Sequence, residues 1–502
     1  MRKIPATIAS QHPDNALAPY WDKNGQPFIS VYQEIDEAVL CFKELGVSEY
    51  MWDWEGKHAD AAVIDRLFTD FYDYFAKHQL GRDKFLTFRI PNIWEEKGYN
   101  LLQAMTVVLS SEDFARDLEF HGRPLFEVIL PMTERASQLM QMQKLFEKLA
   151  RFKSKDFTPD RPANTDYLEI IPLVEGVDSQ MAVDELLAEY VKLHQQHFGR
   201  RPEYIRSFLA CSDSALSSGF LAGVLGNKLA LAKLRDFGET SGIPVFPFMG
   251  AGSLPFRGGL APDNLDRFLE EFPGVRTVTV QSAFRYDYPL AQVKTAIKRL
   301  EEELPKLSLN KMDSATQAGL QAIGIQASKL YKATLSGLAG DMQPVFKSVP
   351  KRRDRRQHIG LLAYSRSMGE QTLPRAITFT GAFYSVGVPP EFIGSGRALR
   401  QLKPAELALL KDHYPNLTND FEAAGRYLNR DNLDMFAADS TAWQAVKEDV
   451  EAVEAVLGLQ LGPKSAGHKA HAKLSSQLAR IAGNTDGSDL IAQMGVLRKS
   501  LG

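Results

Sequence analysis

The apolar positions of the chain follow two rhythms that change over near Tyr288. Before that point, short apolar runs of strand length alternate with longer segments whose apolar residues recur every three or four positions. Glu49-Tyr-Met-Trp-Asp-Trp-Glu alternates as a strand does and ends on Asp53 and Glu55. Phe85-Leu-Thr-Phe-Arg-Ile-Pro-Asn reads as a strand with Arg89 near its C-terminal end. Further strands are expected over Leu125–Met132, Leu168–Glu175, Tyr204–Ser214, from Pro244 to Phe248, and over Val275–Ser282. Helices are expected over Thr133–Phe152, Ala182–His197, Ser218–Asp236 and Asn264–Glu271. An amphipathic helix over Ser30–Leu45, stopped by Gly46, precedes the first strand. The residues from Thr7 to Asn15 read as a polar loop that carries His12.

Repeated strand–helix alternation implies parallel strands, and this many repeats favour an α/β fold of the closed (β/α)8 TIM-like barrel type. After Tyr288 the pattern is almost wholly helical, so the barrel carries extensive additional helices in its C-terminal half. No internal repeat and no linker divides the chain. The expectation is a single barrel-based catalytic domain over residues 1–502, with barrel repeats roughly at 45–290 and a helix-rich elaboration roughly at 290–502.

Composition narrows the function without naming it. With 44% hydrophobic residues and a net charge of −3, the chain can bury a large core and has no general attraction for nucleic acid or an acidic membrane. Its two cysteines, Cys41 and Cys211, lie far apart without metal-ligand spacing, which argues against a disulfide framework and for a reducing compartment. The N-terminus lacks the apolar stretch of a signal peptide, and no run approaches the ~20 apolar residues of a membrane span. A cytoplasmic, soluble protein is expected.

In a barrel the chemistry gathers at the C-terminal ends of the strands. Glu175 and Asp213 end successive strands, so they read either as a divalent-cation pair or as caps of the helices that follow. The stretch Pro244–Pro262 passes from a buried strand into a loop with four glycines and one cation, Arg257. Such a loop reads either as an anion cradle or as an ordinary strand-to-helix turn. Arg89 and Arg285 also fall near strand ends, and Lys351, Arg352, Arg353, Arg355 and Arg356 form a basic run that is either a solvated face or an anion contact. His12, in Ser-Gln-His-Pro-Asp, is the candidate for proton handling near neutral pH.

Taken together, Ser10-Gln-His-Pro-Asp-Asn, Phe85-Leu-Thr-Phe-Arg-Ile-Pro-Asn, Ile170-Ile-Pro-Leu-Val-Glu, Ser212-Asp-Ser, Phe256-Arg-Gly-Gly-Leu, Gln281-Ser-Ala-Phe-Arg-Tyr-Asp and Pro350-Lys-Arg-Arg-Asp-Arg-Arg resemble the compact, archaeal-type phosphoenolpyruvate carboxylases. The resemblance runs in order from His12 to Arg397. It implies irreversible, anaplerotic carboxylation of phosphoenolpyruvate by bicarbonate to oxaloacetate and phosphate, through carboxyphosphate and an enolate, with Mg2+ or Mn2+. It also implies a homotetramer. By residue, it implies Glu175 and Asp213 as metal ligands, and His12, Arg89, Arg257 and Arg285 as catalytic groups. Phosphate contacts would come from Arg352 or Arg353 and from the glycines Gly258 and Gly259. The chain departs from the larger class of these enzymes at Met249 and Ala251, which replace a histidine and an arginine. That departure puts feedback inhibition by aspartate or malate in doubt. Two other readings compete: a different metal-dependent barrel lyase of phosphoenolpyruvate or a 2-oxo acid, and a non-catalytic metabolite-binding protein on the same fold. The lyases of the isocitrate-lyase type need a cysteine-bearing loop, whereas Cys211 is expected inside a strand.

Overall fold

The structure, a computed structural model, describes residues 3–157, 166–308, 310–354, 367–368, 371–481, 483 and 485–502. Eight parallel strands close into a barrel in sequence order: β1 (Thr7–Ser10), β2 (Glu49–Asp53), β3 (Phe85–Arg89), β4 (Glu127–Leu130), β5 (Glu169–Val174), β6 (Ile205–Ala210), β7 (Val245–Gly250) and β8 (Thr277–Val280). β8 pairs with β1 through Thr7–Val278 and Ala9–Val280, which closes the ring.

Seven of these strands lie where the apolar pattern places them. The exception is β1, which occupies part of the stretch read as a polar loop. It is four residues long with a hydroxyl residue at each end, too short for alternation to stand out. The barrel therefore begins at Thr7. A second difference concerns Cys211, which is the first residue of the helix Cys211–Ser218 and not part of β6. The expected helix after Ser30 forms as a 3-10 turn, the α-helix Glu34–Leu40 and a π turn over Cys41–Leu45, and Gly46 ends it in the left-handed region.

Strand side chains alternate between the two faces of the sheet, so the sequence parity of each strand sorts the barrel interior into layers. At the N-terminal end the inward residues are polar: Arg206 pairs with Glu49 at 2.7 Å and with Glu127 at 2.8 Å, and Thr87 and Thr277 bond into the same group. The middle layer is apolar, made by Ile8, Met51, Ile129, Ile171, Leu173, Phe208, Ala210 and Phe248. Phe208 and Phe248 stack with ring centroids 3.7 Å apart. Two residues further on, the inward parity reaches Ser10, Asp53 and Arg89 in their strands and Glu175 just past the end of β5, and Ser212 comes from the first turn of the helix after β6. The polar mouth thus follows from continuing the period of two past an apolar plug.

From residue 290 onward the described chain is helical apart from a hairpin over Ser367–Met368 and Gln371–Thr372. The longest helix, Ser314–Ser348, packs along the barrel helix Phe220–Ser241. Tyr331 in that long helix is fully buried and donates to the Leu216 carbonyl at 2.8 Å. The added helices thereby carry the helix Ala376–Ser385 and the last residues, Leu501 and Gly502, to the barrel mouth.

Candidate active site

A cavity of about 430 Å3 opens at the C-terminal mouth of the barrel. Its floor is the top of the apolar plug, Leu173, Phe208, Ala210 and Gly250, and its walls carry the charge. A Cβ on Gly250 would lie 2.7 Å from the Phe208 ring, so glycine there makes room for the floor.

Both carboxylates expected to hold a metal line this cavity. Neither caps a helix: the residues at the cap positions are Gly176 and Ala210, and no side-chain cap bond is made at either. Glu175 instead accepts the Met132 N–H at 3.4 Å. Among the described residues no cluster of three or more His, Cys, Asp or Glu groups is arranged around one point. Two hard carboxylate oxygens without further protein ligands fit a cation that takes the remainder from water and substrate oxygens, as Mg2+ does, and do not fit a closed structural zinc site.

The arginines divide. Arg89 reaches the cavity wall from the end of β3, held by Asp53 through Nε at 2.9 Å and Nη2 at 2.6 Å, and by Glu55 through Nη1 at 2.9 Å. Burial pushes the Glu55 carboxyl up, Arg89 opposes it, and Asp53 adds to the rise. Arg257, also on the wall, is the last residue of the 3-10 turn Pro255–Arg257. Its Nε donates to Ser212 at 3.1 Å, Nη1 to Asp14 at 2.8 Å and to the Gly502 main-chain oxygen at 2.6 Å, and Nη2 to Gln281 at 2.5 Å. His12 completes the expected set, with Nδ1 2.8 Å from the Ser10 hydroxyl.

Arg285, Arg352 and Arg353 are not brought to the cavity. Arg285 is fully buried beside it, donating to the Ser10 and Val280 carbonyls and to Glu37 at 2.8 Å. Arg353 pairs with Glu37 at 2.6 Å and Glu34 at 3.2 Å, and Arg352 donates to the Asn15 carbonyl. The buried glutamates Glu34 and Glu37, on the outer flank of the barrel, draw Arg285 and Arg353 inward. Arg355 and Arg356 of the basic run lie outside the described residues. Gly258 and Gly259 likewise do not line the cavity, and their N–H groups close the loop's own turns onto Pro255 and Leu254. Gly258 is required by the fold: its φ is +105°, and a Cβ would meet that of Ala251 at 2.8 Å.

Met249 and Ala251 are buried, Met249 in the barrel wall and Ala251 against Gly258 and Thr279. A cation enters from elsewhere. Arg375, at the start of the helix Ala376–Ser385, lines the cavity and faces Glu55. Sequence reading missed it because it lies far beyond the last strand, where the strand-end rule has no reach. Glu55, Ser212 and Gln281 also line the cavity; Glu55 and Gln281 could have been found by extending the inward parity of their strands, whereas Ser212 lies in the helix after β6. Trp94, Glu95, Glu134 and Arg135, on the loops after β3 and β4, complete the wall. Cys211 is buried, and burial pushes its thiol up to about 12, which leaves it inert as a nucleophile and disfavours a cysteine-dependent lyase.

Fold and cavity together define a (β/α)8-barrel protein whose mouth pairs hard oxygen ligands with arginine donors. The model of a family described as phosphoenolpyruvate carboxylase matches residues 4–502. A phosphoenolpyruvate carboxylase of Leuconostoc mesenteroides is 53% identical over 100% of this chain and 99% of its own, and one of Oenococcus oeni is 52% identical over the same shares. One from Metallosphaera sedula is 36% identical over the whole of both chains. The chain belongs to the phosphoenolpyruvate carboxylase family, and its length is that of the compact type.

Proposed function

We propose that the protein carboxylates phosphoenolpyruvate with bicarbonate, giving oxaloacetate and phosphate. What supports the reading most is convergence: Glu175, Asp213, Arg89, Arg257, Arg375 and His12, from six separate segments, line one cavity. A scaffold has no need of that convergence.

In the reaction a bicarbonate oxygen bonds to phosphorus as the enol oxygen leaves, giving carboxyphosphate and the pyruvate enolate. The carboxyphosphate C–O bond then breaks to give CO2 and phosphate, and the enolate methylene carbon bonds to CO2. Arg89 and Arg375 bind the phosphoryl oxygens and offset the charge that develops on them. His12 takes the bicarbonate-derived proton as CO2 is released and returns it to phosphate. Arg257 presents to the same charge the one N–H, on Nη2, that its bonds to Ser212, Asp14, Gly502 and Gln281 leave over. The apolar floor of Leu173 and Phe208 excludes water beneath the enolate, which would otherwise be protonated to pyruvate. Glu175 and Asp213 would hold a divalent cation, Mg2+ or Mn2+, whose charge stabilises the enolate and phosphate oxygens.

The same reading includes a cytoplasmic enzyme and a homotetramer. Among the described residues no helix is long and apolar enough to cross a membrane. The test is bicarbonate- and Mg2+-dependent formation of oxaloacetate from phosphoenolpyruvate, followed by its reduction to malate in a coupled assay. Formation of pyruvate alone, or of nothing, overturns it.

A further inference from the structure

Asp14 stands two residues beyond His12, is fully buried, and joins three strand-end loops through one carboxylate. Oδ2 accepts Arg257 Nη1 at 2.8 Å, from the loop after β7. Oδ1 accepts the Ala283 N–H at 2.7 Å, from the short helix Ser282–Tyr286 after β8. Its own backbone belongs to the loop after β1, where the Asp14 N–H bonds the His12 carbonyl at 3.1 Å. The Asp14 carbonyl also accepts the Leu501 N–H at 2.7 Å, beside the Gly502 main-chain oxygen that shares Arg257 Nη1.

The pattern has a chemical consequence. Arg257 is 1% exposed, and of its four bonded partners only Asp14 is a charged side chain. A guanidinium fixed at Nε, Nη1 and Nη2 keeps its plane and loses its freedom to follow a ligand. Paired with a buried carboxylate it is also no longer a net positive anchor. It becomes an oriented donor, suited to charge that develops during reaction more than to holding the ground-state substrate.

We propose that Asp14 is the positioning residue of the active site, fixing the Arg257 guanidinium in register with His12 across the barrel mouth. It acts through Arg257 and touches no reactant. The inference rests on the carboxylase reading. Asp14→Asn tests it, because an amide cannot accept from both the Ala283 N–H and Arg257 as the two carboxylate oxygens do.

With phosphoenolpyruvate, bicarbonate and Mg2+, the full-length variant is expected to lose about 100-fold in kcat while KM for phosphoenolpyruvate stays within about threefold. Some of its flux should appear as pyruvate. Introduced into Arg257→Lys, the same substitution should cost less than about threefold more, since both changes remove one interaction. A wild-type kcat in Asp14→Asn, or an equal loss in both backgrounds, overturns the inference. If Asp14→Asn does not fold, Asp14→Glu carries the test, since it keeps the charge but displaces it by one methylene. A reduced kcat with an unchanged KM supports the proposal, and an unchanged kcat overturns it. Failure of the unaltered protein to form oxaloacetate sinks the carboxylase reading itself, whereas a wild-type-like Asp14 variant sinks this inference alone.

Discussion

The cavity and the barrel's outer flank hold the same kinds of charged residue in opposite balance. On the flank, Glu34 and Glu37 face Lys57, Arg285 and Arg353, all buried, with Lys57 2.5 Å from Glu34. Burial alone would raise the Glu37 carboxyl, but Arg353 and Arg285 bring it down to about 2. The cavity lining carries five acids, Glu55, Glu95, Glu134, Glu175 and Asp213, against the four arginines Arg89, Arg135, Arg257 and Arg375, and the Glu55 carboxyl is raised. On the flank each carboxylate is paired with buried cations of the chain itself. The cavity has an excess of acid, which is the electrostatic condition for taking up a cation. A charged motif therefore announces a site where its groups face a cavity, and not where the chain pairs them in its interior.

The largest effect expected from breaking this contrast is on the acid excess. Asp213→Asn should lower oxaloacetate formation about a thousandfold or more, with little change in melting temperature. A near-normal rate with normal Mg2+ dependence would show that the excess serves something other than a metal. On the flank the order reverses. Arg353→Met leaves Glu34 and Glu37 short of a buried partner and should cost about 3–5 kcal/mol in denaturant unfolding, while the kcat of the folded fraction is retained. Arg375→Ala sharpens the comparison from the cavity side: kcat should fall about 100-fold with the unfolding midpoint nearly unchanged. If Arg353→Met lowers kcat as Arg375→Ala does, the division between the two clusters is wrong.

Much of this was legible in the sequence, for identifiable reasons. The strand ends at Arg89, Glu175 and Arg257 could be read because an apolar run fixes where a strand stops, and the barrel rule says what that end faces. β1 was hidden by its brevity. Arg285, Arg352 and Arg353 were assigned to the site because a basic residue in a motif does not reveal its partner. The partners of Arg285 and Arg353, Glu34 and Glu37, sit in a helix whose acids would ordinarily be placed on the solvent side, and Arg352 turns to the Asn15 carbonyl. Arg375 was invisible for the opposite reason. Its segment has no strand, and only the packing of the added helices carries it to the mouth.

The smallest expected effect lies at the seam between the two clusters, at Asp287. Its oxygens accept the Ala16 and Leu17 N–H groups, each at 2.7 Å, and so hold the segment that follows His12 and Asp14. Asp14, Arg352, Arg498 and Tyr288 face it. Burial raises its carboxyl to about 8; the two N–H bonds and Arg352 oppose that rise, and Asp14 adds to it. An acid raised in the folded state binds its proton more tightly than the unfolded chain does. Between about pH 4 and pH 8 the folded protein therefore carries the extra proton, and stability falls as pH rises through that window before levelling above it. Glu37, depressed to about 2, has the opposite sign and acts only in acid: its contribution is whole above about pH 4.5 and is lost as pH falls toward 2. Asp287→Asn should remove its own share of the neutral-range slope, to which Glu391 and Asp420, both raised to about 7 by burial, add with the same sign, so that melting temperatures of variant and parent, compared at pH 5 and pH 8, diverge by about 2–4 °C. Identical slopes would mean that the two amide bonds keep Asp287 ionised throughout, and that the seam is as fully compensated as the flank.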